Sequence, residues 1–225
     1  HLLEQGERVG VVELEANNRR TALGLMSCAL GKAYHIGEHA KEELDTAYRN
    51  SIANWNLFMF DGFGSFDPDI IYNRLEYMAT GLDVRVIFLD HISILISGLD
   101  GDERRMLDQT MTRLRSLVER TGISLFLVSH VRRTHSDQPH EEGARVNIGQ
   151  LRGSGSLGQL SDGIIALERN QQADRSKANT TVRVLKNRYA GELGVACNLK
   201  YDLTTCKFHE VTTTTEREFD ATTDF

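Results

Sequence analysis

The chain has 225 residues, of which 26% are charged and two are proline, a composition typical of a globular protein. Its net charge of −6 does not indicate a basic nucleic-acid-binding protein, although a ring or cleft can confine basic side chains to one small surface. No apolar run could span a bilayer, and no secretory signal is present. The cysteines, Cys28, Cys197 and Cys206, are odd in number and lack CxxC spacing. This pattern favours a reducing, intracellular setting.

Strand-like and helix-like patterns alternate along the first 130 residues. Strands are predicted at residues 9–15, 57–61, 86–90 and 123–129, and helices at 18–34, 41–55, 68–79 and 102–121. Pro68 occupies the first turn of its helix, a position that proline favours. Strands and helices at this spacing indicate right-handed crossovers and a parallel sheet.

The pattern changes after residue 130. A polar stretch without periodicity, 131–147, predicts a long functional loop. Closely spaced strands are then predicted at 164–168, 181–186, 195–201 and 206–209, with Gly191 in a turn. We predict an α/β domain over residues 1–210, with a mostly parallel sheet and antiparallel strands at the C-terminal end. Residues 211–225, rich in threonine and acids, are predicted to form a disordered tail.

The apolar run 86–89 ends in Asp90. Because open α/β sheets bind ligands at the carboxyl ends of their strands, Asp90 is a candidate Mg²⁺ ligand in a nucleotide-hydrolysing domain. An ordinary core strand followed by a turn acid has the same pattern. The run lacks apolar–polar alternation, which predicts a strand covered on both faces.

Other polar side chains end neighbouring predicted strands. Glu15 ends the first strand, and a carboxylate near the metal would orient and deprotonate an attacking water. A surface glutamate at a strand end is the alternative. Ser129 and His130 end the strand beside that of Asp90, where a polar side chain could sense a γ-phosphate.

Lys186 and Arg188 are alternate residues of an extended strand, so their side chains share a face. They could reach a neighbouring subunit's phosphate site, or form a solvated basic edge. The segment LRGSGSLGQLSD (151–162) offers backbone amides and one arginine to phosphate, although a Gly/Ser-rich linker would look similar. Three arginines could line a path for single-stranded DNA: Arg132, Arg133 and Arg152.

Six segments now form one pattern: LEA (14–16), FLDHIS (88–93), VSH (128–130), HEEG (140–143), LRGSGSLGQLSDGIIALERNQQ (151–172) and LKNRYAGELG (185–194). Together they resemble the helicase domain of T-odd bacteriophage primase-helicases and of mitochondrial Twinkle, within the RecA/DnaB-like ring motors. The resemblance implies a RecA-like three-layer fold. It also implies a replicative DNA helicase that couples NTP hydrolysis to 5′–3′ translocation on single-stranded DNA and duplex unwinding.

The resemblance implies roles for particular residues. Glu15 matches the carboxylate that activates water, Asp90 the Walker B acid for Mg²⁺, and His130 the histidine that couples phosphate state to a DNA loop. Gln159 matches the glutamine that senses the γ-phosphate. Arg188 matches the arginine finger supplied to the adjacent subunit, and the remaining matches are the companion cation Lys186, the base-sandwiching Arg169 and Tyr201, and the DNA-loop residues Arg132, Arg152 and Gly153.

The implied cofactors are Mg²⁺ and an NTP, either ATP or dTTP. The implied partners are single-stranded DNA, identical subunits in a hexameric or heptameric ring, and the replicative DNA polymerase. Similar phage helicases dock on their polymerase through an acidic tail that ends in an aromatic residue, here Phe225; a solubilising tail is the alternative. The implied location is the cytoplasm of a phage-infected bacterium, with the mitochondrial matrix as the alternative, and no membrane is involved.

Two departures from the pattern matter. Gly158 stands where the phage pattern has an arginine, which removes one cation. No GxxxxGK[ST] phosphate loop occurs in the 225 residues, and the chain begins with His1, so we expect a truncated sequence whose own nucleotide binding is weak or absent.

Three other functional classes of protein fit parts of the sequence. A RecA-type recombinase would share the core, and a non-catalytic assembly or polymerase-docking remnant would lack the phosphate loop. A metallopeptidase is suggested by the HxxEH spacing of His35, Glu38 and His39, although Gly37 weakens the helix that this motif needs.

Overall fold

The computed structural model describes residues 1–64, 66–95, 102–132, 139–151, 154–173 and 179–211. Four residues with predicted partner contacts, Arg133, Arg152, Gly153 and Phe225, lie outside these ranges, as does the predicted tail from residue 212 onward. No helix within the described ranges has both the length and the apolar composition needed to cross a membrane.

The first half of the chain builds a parallel sheet with helices. Its strands are β1 (Val9–Glu13), β2 (Leu57–Met59), β3 (Val86–Asp90) and β4 (Ser124–Leu127). Its helices are α1 (Asn18–Leu30), α2 (Lys41–Arg49), α3 (Pro68–Thr80) and α4 (Glu103–Thr121). The strand order is β2-β1-β3-β4, and all three pairings are parallel, as the alternating pattern predicts.

The second half adds a short helix and a separate antiparallel sheet. The helix is α5 (Ser154–Leu160), and the strands are β5 (Gly163–Arg169), β6 (Thr180–Asn187), β7 (Gly194–Asp202) and β8 (Lys207–Glu210). These strands pair in chain order, and Gly191 lies between β6 and β7 with a φ of 71°. The predicted antiparallel strands at the C-terminal end are confirmed.

Local signals explain where the helices begin and end. The side chain of Asn17 accepts a hydrogen bond from the Arg20 amide at 2.9 Å, and Asp102 does the same for Arg104 at 2.9 Å. Helix α1 ends at Leu30, four residues before its predicted end, because Gly31 takes the left-handed conformation with a φ of 65°. Helix α2 likewise stops at Arg49, before the predicted residue 55.

The core lies on one face of the parallel sheet, beneath α3 and α4. Its fully buried members come from both layers: Val12, Leu14, Ile87, Leu89, Ile71, Leu75 and Leu117. The opposite face differs from the prediction of a strand covered on both sides. Phe88 stacks on Phe126 with 4.9 Å between ring centroids, yet these side chains are 37% and 50% exposed. The prediction of strand β3 is therefore confirmed, whereas the prediction that both of its faces are buried is wrong.

The glycine-rich sequence of residues 151–162 predicts a phosphate-binding loop or a linker. Instead, Ser154–Leu160 form α5. Gly158 lies in this helix, where an added Cβ would meet the Ile148 side chain at 3.1 Å, whereas one at Gly155 would meet its nearest atom, on Arg104, at 3.7 Å. Tertiary contacts therefore override the low helix propensity of glycine here.

This packing predicts unequal effects for two alanine substitutions in α5. We expect G155A to stabilise the chain by about 0.5–1 kcal/mol through helix propensity, raising Tm by about 1–4 °C. We expect G158A to gain less, because its methyl group crowds Ile148. Thermal unfolding of the two variants measures this difference, and a larger gain for G158A would contradict the packing of α5.

Candidate nucleotide-hydrolysis site

The candidate site lies at the carboxyl edge of the parallel sheet. In the strand register Glu13 is opposite Asp90, and Leu89 is opposite Leu127. Pairing continues past the strand ends, since the Leu14 amide donates to the Asp90 carbonyl at 2.8 Å. The residues that follow β1, β3 and β4 are thereby brought to one edge, where parallel α/β sheets bind ligands.

The structure brings three polar side chains together at this edge. The Nε2 atom of His91 lies 2.7 Å from Oε1 of Glu15, and the rings of His91 and His130 have centroids 4.0 Å apart. The His91 side chain is 8% exposed, whereas that of Glu15 is 46% exposed. A buried imidazole thus holds the carboxylate while leaving it open to solvent.

Two members of this edge were missed by the sequence reasoning. His91 is visible in FLDHIS as the residue after Asp90, but only the fold shows that its ring reaches Glu15. Glu13 accepts hydrogen bonds from the amides of Glu15 and Ala16 at 3.0 and 3.1 Å. This turn fixes the backbone that presents Glu15, and no sequence pattern indicated it.

The electrostatics of Asp90 reflect this crowding. Burial raises the pKa of the Asp90 carboxyl above its ordinary value, and the charge of Glu15 raises it further, while His91 and His130 oppose the rise. A divalent cation would offset the repulsion between the charges of Asp90 and Glu15, and Mg²⁺ prefers oxygen ligands. The donor set at Asp90 therefore fits Mg²⁺.

The Asp90 pKa shift predicts a pH-dependent stability. Above the unfolded pKa of about 3.9, the unfolded chain ionises first, so the raised folded pKa of Asp90 favours unfolding. In the absence of metal, D90N should therefore raise Tm at pH 7 and lose that advantage as the pH falls through the folded pKa towards 4. Circular dichroism melts measure this, with D45N on the exposed surface of α2 as the control; equal gains at pH 7 and pH 4 would contradict the assignment.

The two predicted phosphate-reaching cations, Lys186 and Arg188, contact the end of α5. The Nζ atom of Lys186 donates to the carbonyls of Gly158 and Gln159 at 2.7 and 3.2 Å. Arg188 donates from Nη2 to the Gln159 carbonyl at 2.8 Å and from Nη1 to Oδ1 of Asp162 at 2.9 Å. Both side chains contact the Gln159 carbonyl within the chain, although Arg188 lies in the turn after β6 and not in the strand itself.

Asp162 is a further residue that the sequence reasoning passed over. Its Oδ2 atom accepts from Nη1 of Arg115 on α4 at 2.5 Å, while its Oδ1 atom binds Arg188. The Asp162 carboxylate thus joins Arg115, on the helix α4 that packs on the parallel sheet, to Arg188, which follows β6 of the antiparallel sheet. Its partners are far apart in sequence, so no local pattern could identify it.

The remaining predicted residues lie elsewhere. Gln159 has an exposed side chain on α5, where its backbone carbonyl binds both cations. Arg132 is exposed beside the bridge between Val131 and Leu151. Arg169 ends β5 and Tyr201 lies in β7, so β6 separates the pair predicted to sandwich a base.

The HxxEH segment at residues 35–39 does not form the helix-borne zinc site of the metallopeptidase alternative. It lies between α1 and α2, where His35 binds the Ser27 hydroxyl at 2.8 Å and His39 contacts the Ile36 carbonyl at 3.1 Å. Among the described residues, these two histidines are not part of any group of potential metal ligands. The metallopeptidase alternative therefore lacks structural support.

Comparison with known proteins now decides the family. The sequence model of the "DnaB-like helicase C terminal domain" family matches residues 4–210. The chain belongs to this DnaB-like helicase family. The resemblance drawn from the sequence motifs is confirmed, and the helicase branch is favoured over a RecA-type recombinase.

Individual relatives agree with this assignment. The DNA helicase/primase of Enterobacteria phage T3 is 37% identical over 204 residues, which cover 88% of this chain and 36% of that protein. A probable plasmid replicative DNA helicase of Chlamydia muridarum (strain MoPn / Nigg) is 22% identical over 214 residues, which cover 93% of this chain and 45% of that protein. The DnaB-like chain therefore spans less than half the length of either relative.

A solved structure supports the fold. A DnaB-like replicative helicase, determined with its interactions with primase, superposes with a TM-score of 0.72 at 19% identity. The match covers 92% of this chain and 51% of that one. The predicted RecA-like α/β fold is thus confirmed for the DnaB-like chain.

Proposed function

We propose that the DnaB-like chain is the motor domain of a replicative DNA helicase that couples NTP hydrolysis to 5′–3′ translocation on single-stranded DNA. The observation that carries this proposal is the gathering of Glu15, Asp90, His91 and His130 at the carboxyl edge of the sheet. In a protein of the DnaB-like family, this is the edge where an NTP and its metal would react.

The residues of this edge supply the parts that hydrolysis needs. Asp90 would hold Mg²⁺, which when bound neutralises charge on the transferred phosphoryl group. Glu15 would orient and deprotonate the attacking water from its solvent-open position beside His91. His91 would restrain the Glu15 carboxylate, which would accept the proton, through the 2.7 Å contact.

The coupling of hydrolysis to DNA is proposed to pass through His130. The next residue, Val131, pairs with Leu151, and the Arg132 amide donates to the Gln150 carbonyl at 2.7 Å. Backbone hydrogen bonds thus connect the site to Arg132 and to residues 150–151, which precede Arg152 and Gly153 in the sequence. The likeness in sequence to the phage T3 helicase/primase supports this assignment of partner.

Ring assembly is the second part of the proposal. Arg188 and Lys186 would serve the phosphate site of the adjacent subunit in a homo-hexamer or heptamer. To do so, Arg188 must exchange its contacts with Asp162 and Gln159 for phosphate oxygens. Arg169 and Tyr201 would contact the base of ATP or dTTP, and Phe225 would dock on the replicative polymerase in the bacterial cytoplasm.

Fork unwinding tests the proposed function in the gene product that carries this chain. We expect NTP- and Mg²⁺-dependent displacement of a strand from a forked duplex, with loading on the 5′ single-stranded arm. An otherwise identical fork with only a 3′ arm is the control. Unwinding from the 3′ arm alone would contradict the polarity, and absence of DNA-stimulated hydrolysis would favour a non-catalytic remnant.

A further inference from the structure

The side chains of Glu15, His91 and His130 also carry atoms that could bind a metal ion. Each residue offers one ligand atom, and these three atoms lie within 4.8 Å of one another. Among the described residues, these three are the histidine and acidic side chains whose ligand atoms lie close enough together to hold one metal ion. Two of its members are imidazoles, which distinguishes it from an ordinary acidic cluster.

We propose that Glu15, His91 and His130 form a binding site for a late first-row transition metal such as Zn²⁺. Two imidazole nitrogens and one carboxylate oxygen are a ligand set that Zn²⁺ accepts with water in the fourth position. Mg²⁺ prefers all-oxygen, octahedral surroundings and binds imidazole poorly. The site is therefore chemically distinct from the Mg²⁺ position at Asp90, although the two are neighbours.

The geometry is close to what coordination requires. Bonds of 2.0–2.1 Å in a tetrahedron place ligand atoms about 3.3 Å apart. Glu15 and His91 are 2.7 Å apart and hydrogen-bonded, so the metal would replace the shared proton and move the two atoms slightly apart. His91 is buried after β3, whereas Glu15 and His130 are exposed, so solvent leaves room for their side chains to adjust to the ion.

The surroundings of His91 determine how tightly the site is expected to bind a metal ion. Metal-bound histidines usually use their second nitrogen to bind a carboxylate or carbonyl, and losing that support costs about 10–100-fold in affinity. In the described structure the Nδ1 atom of His91 is buried without a hydrogen-bond partner. We therefore expect a metal affinity about 10–100-fold weaker than that of a zinc site whose histidines have this support.

Binding at this site has a consequence for the enzyme. A metal there occupies the Glu15 carboxylate, so Zn²⁺ should inhibit hydrolysis even when Mg²⁺ is abundant. This consequence rests on the proposed function, whereas the binding itself does not.

Titration of the full chain with Co²⁺ tests the site without nucleotide or DNA, in the presence of excess Mg²⁺. We expect one equivalent to bind with visible absorption bands of tetrahedral cobalt, and Zn²⁺ to displace it. H91N and H130N should each weaken binding at least tenfold, while H39N, which alters a histidine outside the site, should bind like the wild type. His130 is exposed, so H130N tests the site even where H91N perturbs the fold, which circular dichroism reports.

Three results would overturn the proposal. These are no cobalt binding by the wild type, unchanged binding by folded H91N and H130N, or a sulfur-to-cobalt charge-transfer band, which would assign the ion to a cysteine. Each of these outcomes leaves the helicase proposal untouched, because fork unwinding is measured separately.

Discussion

Replacing Glu15 with glutamine should reduce NTP hydrolysis by about 10²–10⁴-fold, the usual worth of a general base. Glutamine keeps the size of the side chain and can still contact His91, but it cannot accept the proton of the attacking water. Nucleotide affinity should change little, so the loss should appear in kcat rather than KM. Steady-state hydrolysis in the gene product that carries this chain measures both constants.

The control for E15Q is E7Q, which neutralises an exposed glutamate before β1. It should hydrolyse NTP at the wild-type rate. An E15Q variant that keeps its kcat would show that another group activates the water, and His91 would then be the next residue to test.

Replacing Arg188 with alanine should also reduce hydrolysis, by about 10³–10⁵-fold, if it is an arginine finger. Within its own chain, Arg188 binds Asp162 and the Gln159 carbonyl, so the same substitution could instead act by loosening α5. Mixing subunits separates these two explanations. In rings of R188A and E15Q subunits at equal amounts, about a quarter of the interfaces pair an intact Glu15 with an intact Arg188 from the neighbour.

Partial recovery of hydrolysis in the mixed rings is the expected result for an arginine acting between subunits. Rings made of R188A alone and of E15Q alone give the baseline rate of hydrolysis. If mixed rings remain as inactive as the separate variants, Arg188 acts within its own subunit, through its contacts with Asp162 and α5.

The sequence predicts features that depend on local pattern. The apolar run before Asp90, the proline in the first turn of α3 and the turn at Gly191 each carry their signal within a few residues, so the strands and helices could be placed from them. The expectation that Glu15, Asp90 and His130 share one edge followed from the geometry of parallel sheets.

The features that escaped prediction depend on contacts between distant residues. The glycines of α5 predict a loop, and only packing against residues such as Ile148 makes the helix favourable. The 76-residue separation between Glu15 and His91 hides their hydrogen bond. The same holds for Asp162, whose two arginine partners come from α4 and from the residue after β6.

The position of Asp162 has a mechanical consequence. A motor that pulls on a polymer needs a stiff connection between its moving part and the part that binds the polymer. In this chain the carboxylate of Asp162 ties α4, which packs on the parallel sheet, to Arg188, which follows a strand of the antiparallel sheet. That joint is ionic and partly open to solvent, so dissolved salt weakens it. In subunits where Arg188 keeps its contact with Asp162, the stiffness of the proposed motor under load should therefore fall as ionic strength rises.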